Sequence, residues 1–364
     1  MVATTARLFK MSSGDAPSHW QDSSLKRNQE RIRRAELWKE EKIFPLDYVP
    51  SESTLALFKM WGLYINDQSM LEKIDKNGKN KDTIQEFIIS RIRNAFYKAL
   101  EAFTYKCILL VWFPTPNVCL HPNYDEIFKK YKDCSEVKFV DIGCCMGTDL
   151  RYVCCNHKNN ISIQSVLGID IQEEFFDIGC NLLFNDVSVI RERFVKTNIL
   201  DDDYLEKCSN APLLKSFLNN PSSENIKEGE ELQRKGTDIV YCSTVFHLLS
   251  ELQTQKLSSF VFKDFLKNSG GIFFGKTVGC TDPVLPERHH EKRDIFGFSF
   301  VHSLQSLKEM LEKIGFVNVR TCVSQEYTTK QLIRKDLSEE GKDNEEIKQT
   351  VPKRCEISWY AEKL

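Results

Sequence analysis

The spacing of apolar residues changes character about a third of the way along the chain. Between residues 84 and 103, apolar residues recur every three or four positions, which predicts an amphipathic helix packed on a core. From Val137 onward, short apolar runs alternate with amphipathic segments, a pattern typical of a mostly parallel sheet with helices on both faces. The predicted strands are 137–142, 164–170, 192–196, 237–243, 270–276, 316–323 and 355–361, and the predicted helices are 147–156, 172–186, 250–267 and 303–314.

The predicted elements divide the chain into three parts. Residues 1–22 are small and polar and predict a flexible tail. Residues 23–115 predict a helical cap or lid region, in which the capping-box signature Thr83–Glu86 starts the main helix. Residues 116–364 predict an α/β domain. Its polar or strongly charged surface insertions are expected near 208–236 and 328–353.

Composition argues against several classes of partner. The formal net charge is −2 over 364 residues, so the protein has no overall field that would attract nucleic acid or an anionic membrane. The densest apolar run, Ile108–Phe113, is far too short to span a bilayer. The 13 cysteines are scattered and no apolar signal core is seen, so we expect reduced thiols in a cytoplasmic protein. Because the chain has no two separated C-x-x-C-like pairs, we predict no metal site.

The segment Phe139–Arg151 combines a buried strand, a glycine turn and the start of a helix. Gly143 and Gly147 are separated by three residues, which differs from the G-x-G-x-x-G spacing of dinucleotide-binding turns. Asp141 precedes the turn; an acid here is unfavourable beside a pyrophosphate but suits a zwitterionic or cationic ligand. Asp170 ends the next strand, in position to accept hydrogen bonds from ribose hydroxyls. Together these features indicate an adenosine-containing, positively charged cofactor such as S-adenosylmethionine.

At this point the chain resembles the class I S-adenosylmethionine-dependent methyltransferases. The resemblance is carried by the glycine-rich motif Val140–Gly143, the ribose-binding acid in Gly168–Asp170, the adenine loop Phe194–Leu200, the fourth motif Asp238–Leu248 and the fifth strand Gly270–Gly275. It implies an α/β fold with a Rossmann-like seven-stranded methyltransferase sheet, mostly parallel with the last strand antiparallel, to which the N-terminal α-helical cap is added. It also implies S-adenosyl-L-methionine as cofactor and S-adenosyl-L-homocysteine as product.

A narrower resemblance lies in Asp141–Arg151, which is similar to the D-x-G-C-C-x-G-x-D-x-R motif of fungal secondary-metabolite methyltransferases, including those of meroterpenoid pathways. His121-Pro122, Phe246–Leu248 and Phe300–Ser303 stand where that group would place them. Some of these enzymes methylate a carboxylic acid, and others methylate a phenol or similar oxygen.

Two residues depart from the general class I pattern. Cys145 stands where a glycine is usual, so the loop is expected to run slightly differently there. Asn198 stands where an aspartate is usual, and its amide oxygen would be a neutral, weaker acceptor for the adenine amino group.

The resemblance also implies a set of site residues. His247 is the candidate catalytic base and an acceptor contact, although a hydrogen-bonded core histidine explains it equally well. His302 is a second candidate for substrate binding, whereas His289-His290 fits a solvated loop better. Arg151 could bind an acidic substrate, but an ion pair with Asp149 that stiffens the loop is favoured. The candidate cofactor-binding residues are Asp141, Gly143, Cys144, Gly147, Asp149, Arg151, Asp170, Ile171, Asn198, Ile199 and Ser243.

We therefore expect an enzyme that transfers a methyl group to an oxygen, of a carboxylate or of a hydroxyl, on a small-molecule acceptor by in-line displacement. Neither a membrane span nor a nucleic-acid partner is expected, and the sequence leaves the oligomeric state open. A non-catalytic S-adenosylmethionine-binding scaffold and a methyltransferase acting on a protein remain alternatives. A nicotinamide-dependent enzyme is disfavoured by the glycine spacing.

Overall fold

A computed structural model describes most of the chain. It covers residues 33, 36–37, 44–45, 48–69, 81–103, 105–131, 137–156, 161–208, 210–219, 236–281, 292–294, 297–326 and 354–364. The predicted tail 1–22, the insertion 328–353, most of 208–236 and the pair His289-His290 lie outside the described residues. Among the helices of the described part, none combines the length and the apolar character needed to cross a membrane.

Seven of the nine described strands form one sheet, in the order β3-β2-β1-β4-β5-β9-β8. The strands are β1 (Phe139–Ile142), β2 (Val166–Asp170), β3 (Phe194–Lys196), β4 (Ile239–Ser243), β5 (Gly271–Cys280), β6 (Lys292–Asp294), β7 (Gly297–Ser299), β8 (Val317–Glu326) and β9 (Arg354–Lys363). Neighbouring strands from β3 to β5 are parallel, and β9 is antiparallel to both β5 and β8. The predicted α/β sheet, mostly parallel with an antiparallel last strand, is confirmed.

Helices cover both sides of this sheet. They are α1 (Glu52–Tyr64), α2 (Lys81–Ala102), α3 (Lys106–Leu109), α4 (Tyr124–Lys129), α5 (Thr148–Cys155), α6 (Glu173–Ile178), α7 (Val187–Ile190), α8 (Tyr204–Lys207), α9 (Ala211–Asn219), α10 (Glu251–Phe260) and α11 (Leu304–Ile314). Helices α1–α7 pack on what we call the cap-facing side, and α8–α11 pack on the opposite side.

Alternation along each strand divides the core into two layers. In β1, Phe139 joins the core under α1–α7, whereas Val140 and Ile142 join the core under α8–α11. This is the period of two that a strand covered on both faces requires. The N-terminal helices share a continuous apolar core with the cap-facing side of the sheet. The domain boundary at residue 116 stays a prediction.

Most predicted elements are present, with differences at their ends. The apolar stripe of α2 is buried as predicted, at Ile88, Ile92 and Phe96 among others. The capping box at Thr83 is wrong, because α2 already begins at Lys81. A Thr-x-x-Glu sequence is also compatible with a helix interior, so this local signal alone does not locate a helix start.

Two predicted long helices are shorter than expected. The helices predicted at 172–186 and 250–267 become α6 and α10, each followed by a π-helical turn, at Gly179–Leu183 and Val261–Phe265. The small hairpin of β6 and β7 was not predicted. These two three-residue strands lie outside the regular alternation of strands and helices, and each is too short to show a periodicity of its own.

Candidate functional site

The strand order reverses at β1, which has β2 on one side and β4 on the other. In open α/β sheets the connections leaving such a point diverge and form a crevice at the carboxyl ends of the strands, where ligands bind. The loop after β1, Asp170 at the end of β2 and the turn after β4 meet at this edge. The motif segments singled out in the sequence are thus brought together by the topology.

The glycine loop, residues 143–147, turns sharply from β1 into α5. Gly143, Cys145 and Gly147 all have left-handed backbone conformations, with φ of 78°, 50° and 70°. A Cβ at Gly143 would lie 2.4 Å from Val245 Cγ2, so a side chain would not fit there. The Gly143 N–H donates to Ile169 O at 2.8 Å and ties the loop to β2. Cys145 adopts a conformation that favours glycine, so its Cβ does not prevent the left-handed turn.

Asp170 is held in place by two backbone amides. Its Oδ2 accepts from the Cys145 N–H at 2.9 Å, and its Oδ1 accepts from the Gln172 N–H at 2.9 Å. Burial raises the pKa of Asp170 above its ordinary value, although these hydrogen bonds favour the ionised form. The carboxylate is therefore fixed in direction beside the glycine loop, with the partly buried Ile171 next to it.

Three carboxylates, those of Asp141, Asp149 and Asp170, surround the glycine loop. Burial, followed by the charges of Asp149 and Asp170, raises the pKa of Asp141 well above its usual range. Burial raises the pKa of Asp149 to about 6, even though the Val118 N–H donates to its Oδ1 at 2.8 Å. Within the described part of the chain, none of the three carboxylates is in an ion pair. The loop therefore lies among three acidic side chains whose pKa values are all raised.

Arg151 is fully buried beneath the glycine loop, and the protein itself binds all five of its N–H donors. Nε and Nη2 donate to the two carboxylate oxygens of Asp186, at 2.6 and 2.8 Å. Nη1 donates to the carbonyl oxygens of Met146 and Gly147, at 2.7 and 3.0 Å. The second donor of Nη2 reaches Cys180 Sγ at 3.3 Å.

The ion pair predicted between Arg151 and Asp149 is therefore wrong. The two residues are two positions apart on α5, and side chains at that spacing do not face each other on a helix. Asp149 points instead to the segment at Val118, and Arg151 points to Asp186. Because every Arg151 donor is engaged, the structure places this residue under the loop rather than in contact with a ligand.

Polar side chains continue across the cap-facing side of the sheet, from β4 to β9. Ser243, Lys276 and Ser358 are buried and in register on neighbouring strands. Lys276 Nζ forms an ion pair with Glu356 at 2.8 Å. The hydroxyls of Ser243 and of Tyr241, two positions before it, have no hydrogen-bond partner in any other described residue. Buried polar groups of this kind are costly unless water or a ligand satisfies them.

The loop after β3 closes on itself through Asn198. The Asn198 Oδ1 accepts from the Leu200 N–H at 3.2 Å, and its Nδ2 donates to Asp201 Oδ1 at 2.9 Å. The amide oxygen keeps a second lone pair for a further donor. Ile199 is buried beside it. The residue predicted at the adenine is therefore oriented by its own loop.

The two predicted site histidines differ in their surroundings. His247 is partly buried in the 3-10 turn Phe246–Leu248 that follows β4. His302 is 1% exposed, and burial lowers its pKa to about 4, so its imidazole is neutral at physiological pH. Its Nδ1 lies 3.4 Å from Ser306 Oγ, while its Nε2 has no partner among the described residues.

His121, the histidine before Pro122, has a structural place. Its Nδ1 accepts from the Asn123 N–H at 3.2 Å, so its Nε2 carries the proton and donates to Trp359 O at 3.0 Å. Burial lowers the pKa of His121 to about 4. This residue links the segment before β1 to β9.

Sequence reasoning missed three residues at this edge: Thr244, Lys276 and Asp186. Thr244 has φ of 57°, which β-branched residues rarely adopt, and such strain gathers at functional sites. Nothing in a threonine signals this conformation. A lysine inside the apolar strand β5 was a readable signal for Lys276. Asp186 is 35 positions from Arg151, so only the tertiary structure connects the two.

No family model matches the chain, but curated relatives do. The chain is 24% identical over 249 residues to the O-methyltransferase phiE of a fungal species (strain ATCC 74256), covering 66% of this chain and 72% of that protein. It is 24% identical over 230 residues to the methyltransferase adrK of Penicillium roqueforti, covering 63% of this chain and 70% of that protein. These relatives confirm the predicted resemblance to fungal secondary-metabolite methyltransferases.

Among solved structures, the chain is similar to a SAM-dependent methyltransferase from Archaeoglobus fulgidus. The two share 17% identity with a TM-score of 0.41, and the match covers 71% of this chain and all of that one. The strand order, rather than this match, defines the fold of the present chain. The sheet has the mostly parallel, seven-stranded order that the resemblance to class I methyltransferases implies, and the chain is similar in sequence to the fungal methyltransferases phiE and adrK.

Proposed function

We propose that the chain methylates an oxygen atom, in a carboxylate or a hydroxyl group, of a small-molecule acceptor of the secondary-metabolite type, and that the glycine loop is where its methyl donor binds. The name of one relative, an O-methyltransferase, supports oxygen as the acceptor atom. The sheet topology supports the position of the donor, since the loop lies at the strand-order reversal.

The observation that carries this proposal is the set of three carboxylates around the glycine loop. Burial raises the pKa of Asp141 and of Asp149, and the negative charges of Asp149 and Asp170 raise the pKa of Asp141 further by repulsion. A cationic ligand would relieve that repulsion, whereas a pyrophosphate would increase it. S-adenosylmethionine supplies a methyl group on a positively charged sulfur and also carries an ammonium, so its charge fits this donor set.

Within the proposed site, Asp170 accepts hydrogen bonds from the ribose hydroxyls. Its two oxygens are already oriented by the amides of Cys145 and Gln172. Asn198 keeps one lone pair for the adenine amino group. The backbone N–H groups in the first turn of α5 are proposed to bind the carboxylate of S-adenosylmethionine, because the positive end of the helix dipole interacts favourably with an anion. Ile171, Ile199, Cys144 and Ser243 complete the proposed contacts.

For the acceptor, we infer a place at the carboxyl ends of β4 and β5, where Ser243 ends β4, His247 lies in the turn after β4, and the His302 carbonyl accepts from the Cys280 N–H at the end of β5. A carboxylate acceptor is already ionised and needs orientation only. A phenol or alcohol must lose a proton, and His247 is the proposed base. His302 has an unpartnered Nε2 for a contact with the acceptor. The helical segment before residue 116 is proposed to act as the cap over this place.

Binding measurements test the donor site. We expect calorimetry to detect binding of S-adenosylmethionine and S-adenosylhomocysteine by the wild type. Because hydrogen bonds to charged groups contribute about 1.5–3 kcal/mol, Asp170→Ala should weaken both by about 10- to 150-fold. Asp202→Ala is the matched control, since that aspartate is 93% exposed and should leave both affinities unchanged. Absence of binding by the wild type would exclude the proposed donor site.

A labelled methyl donor tests the acceptor. The wild type is incubated with a panel of carboxylic acids and a panel of phenols, and transfer of the label is measured. If phenols are methylated, His247→Ala should lower turnover by about 10²- to 10⁴-fold. If carboxylic acids are methylated, the same variant should change turnover little. Undiminished phenol methylation by His247→Ala would refute the base role.

A further inference from the structure

The buried guanidinium of Arg151 determines the orientation of two peptide planes of the glycine loop. Its Nη1 donates to Met146 O at 2.7 Å and to Gly147 O at 3.0 Å. A trans peptide is planar, so holding a carbonyl also determines the direction of the N–H on the far side of the same plane. The N–H groups so oriented belong to Gly147 and Thr148, where the loop enters α5.

Asp186 in turn orients Arg151. The carboxylate accepts two hydrogen bonds from the guanidinium, at 2.6 and 2.8 Å, and both side chains are 0% exposed. Planar bidentate pairing of this kind leaves the arginine one orientation. The guanidinium also stacks on Phe184, with 4.3 Å between its carbon and the ring centroid.

A third residue brings the N-terminal helices into this network. Trp61, on α1, donates from Nε1 to Asp186 Oδ2 at 2.7 Å and is itself buried. A continuous path of buried hydrogen bonds therefore runs from α1 through Asp186 and Arg151 to the carbonyls of the glycine loop. Its links are separated by 125 and 35 positions in the chain.

A glycine in the turn after α6 allows that turn to pack closely against the glycine loop. Gly179 lies in the π-helical turn after α6, and a Cβ at that position would be 2.3 Å from Met146 O. Any other residue would push the turn away from the loop. The Asp186 N–H donates to Cys180 O at 2.9 Å, which holds the carboxylate-bearing segment against the same turn.

We propose that Asp186 and Trp61 are positioning residues for methyl-donor binding, which act through Arg151 and couple the docking of α1 to the conformation of the glycine loop. This inference rests on the proposed donor site. It assigns the N-terminal helical layer a second role besides covering the acceptor: the donor affinity depends on whether α1 is docked. Neither residue touches the donor.

Trp61→Phe and Asp186→Asn test this coupling against a matched control. Trp61→Phe keeps an aromatic ring but removes the hydrogen bond to Asp186, and should weaken S-adenosylhomocysteine binding by about 3- to 10-fold, the equivalent of one ordinary hydrogen bond. Asp186→Asn leaves Arg151 with an uncompensated buried charge and should weaken binding by more than about tenfold. The control, Glu126→Gln, alters another bidentate arginine pair, Arg320–Glu126, in which both side chains are 47% exposed.

Two readouts separate positioning from simple destabilisation. Calorimetry is performed at a temperature at which each variant is folded by circular dichroism, and hydrogen exchange is measured for residues 143–151 without ligand. We expect faster exchange in this segment for Trp61→Phe and Asp186→Asn, and wild-type exchange and affinity for Glu126→Gln. A lowered melting temperature with unchanged affinity and unchanged exchange would overturn the proposal.

The same experiments distinguish the two proposals from each other. If the wild type does not bind S-adenosylhomocysteine, the donor site fails. In that case, faster exchange of residues 143–151 in Trp61→Phe and Asp186→Asn would still show that α1 is coupled to the glycine loop, but the coupling would have no role in donor binding. If the wild type binds and Trp61→Phe matches it in affinity and exchange, the positioning role alone fails. Trp61→Phe preserves this test if Asp186→Asn does not fold.

Discussion

On the opposite side of the sheet, Val140, Ile142 and Val240 point into helices α8–α11 and form a core of apolar side chains. On the cap-facing side, the same strands begin apolar, with Phe139 and Ile239, but change toward their carboxyl ends to Asp141 and Ser243. Both sides are equally buried, so burial alone does not distinguish them. The difference is that the cap-facing side contains desolvated polar groups, which destabilise the unliganded protein. Such groups are expected where a bound ligand interacts with them.

This contrast predicts opposite responses to mutation. A change in the opposite layer should reduce the free energy of unfolding and leave donor affinity alone. A change that removes charge from the polar residues on the cap-facing side should increase the free energy of unfolding and weaken binding of the methyl donor. Three variants, from the largest expected effect to the smallest, sharpen this comparison.

Leu257→Ala probes the opposite layer. Leu257 is 1% exposed on α10, and truncating a buried leucine should lower the free energy of unfolding by about 2–5 kcal/mol through lost contacts and a cavity. Urea denaturation measures this loss. Calorimetry on the folded variant should return the wild-type affinity for S-adenosylhomocysteine. A large change in affinity would mean that the two layers are not independent.

Asp149→Asn probes the cap-facing crevice at its most informative carboxylate. The folded pKa is raised from 3.8 to about 6, so at pH 7.5 the ionised side chain destabilises the unliganded protein. The neutral amide should raise the free energy of unfolding by about 1–3 kcal/mol, and weaken binding of cationic S-adenosylmethionine. Thermal denaturation and calorimetry at pH 7.5 measure the two effects. Reduced stability together with unchanged affinity would contradict the charge argument.

The pH dependence of the wild type gives an independent check on Asp149. The folded protein binds more protons than the unfolded chain between about pH 4 and pH 6, so the stability contributed by this group falls as the pH rises through that window. Donor binding has the reverse dependence, since a cation favours the ionised carboxylate. S-adenosylmethionine affinity should drop by up to about tenfold per pH unit below pH 6. In Asp149→Asn this slope should decrease.

Ser243→Ala is expected to have the smallest effect. The Ser243 hydroxyl has no hydrogen-bond partner among the described residues, so its loss should change the free energy of unfolding by less than about 1 kcal/mol. If the proposed contact with the ligand exists, the affinity for S-adenosylhomocysteine or the KM for the acceptor should worsen a few-fold. Wild-type values for both would remove Ser243 from the site.

Local pattern was sufficient for the sheet and for the glycine loop. The strands of the sheet were predicted because burial on both faces leaves continuous apolar runs such as those ending at Ile142 and Ile169. Asp141, Gly143, Gly147 and Asp170 were selected because their order along the chain mirrors a strand, a turn and the next strand. Capping at Thr83 was predicted wrongly, since a four-residue signature carries little information without its surroundings.

What the sequence determined by itself was therefore the alternation of strands and helices and the identity of the loop, because both follow from residues that are near one another along the chain. Only the tertiary structure decided how the charges pair. Arg151 pairs with Asp186 and not with Asp149, which is nearer along the chain, because side chains two positions apart on a helix do not face each other. Trp61, 125 residues from Asp186, joined the same network through the docking of α1. Such partners meet only in the folded chain.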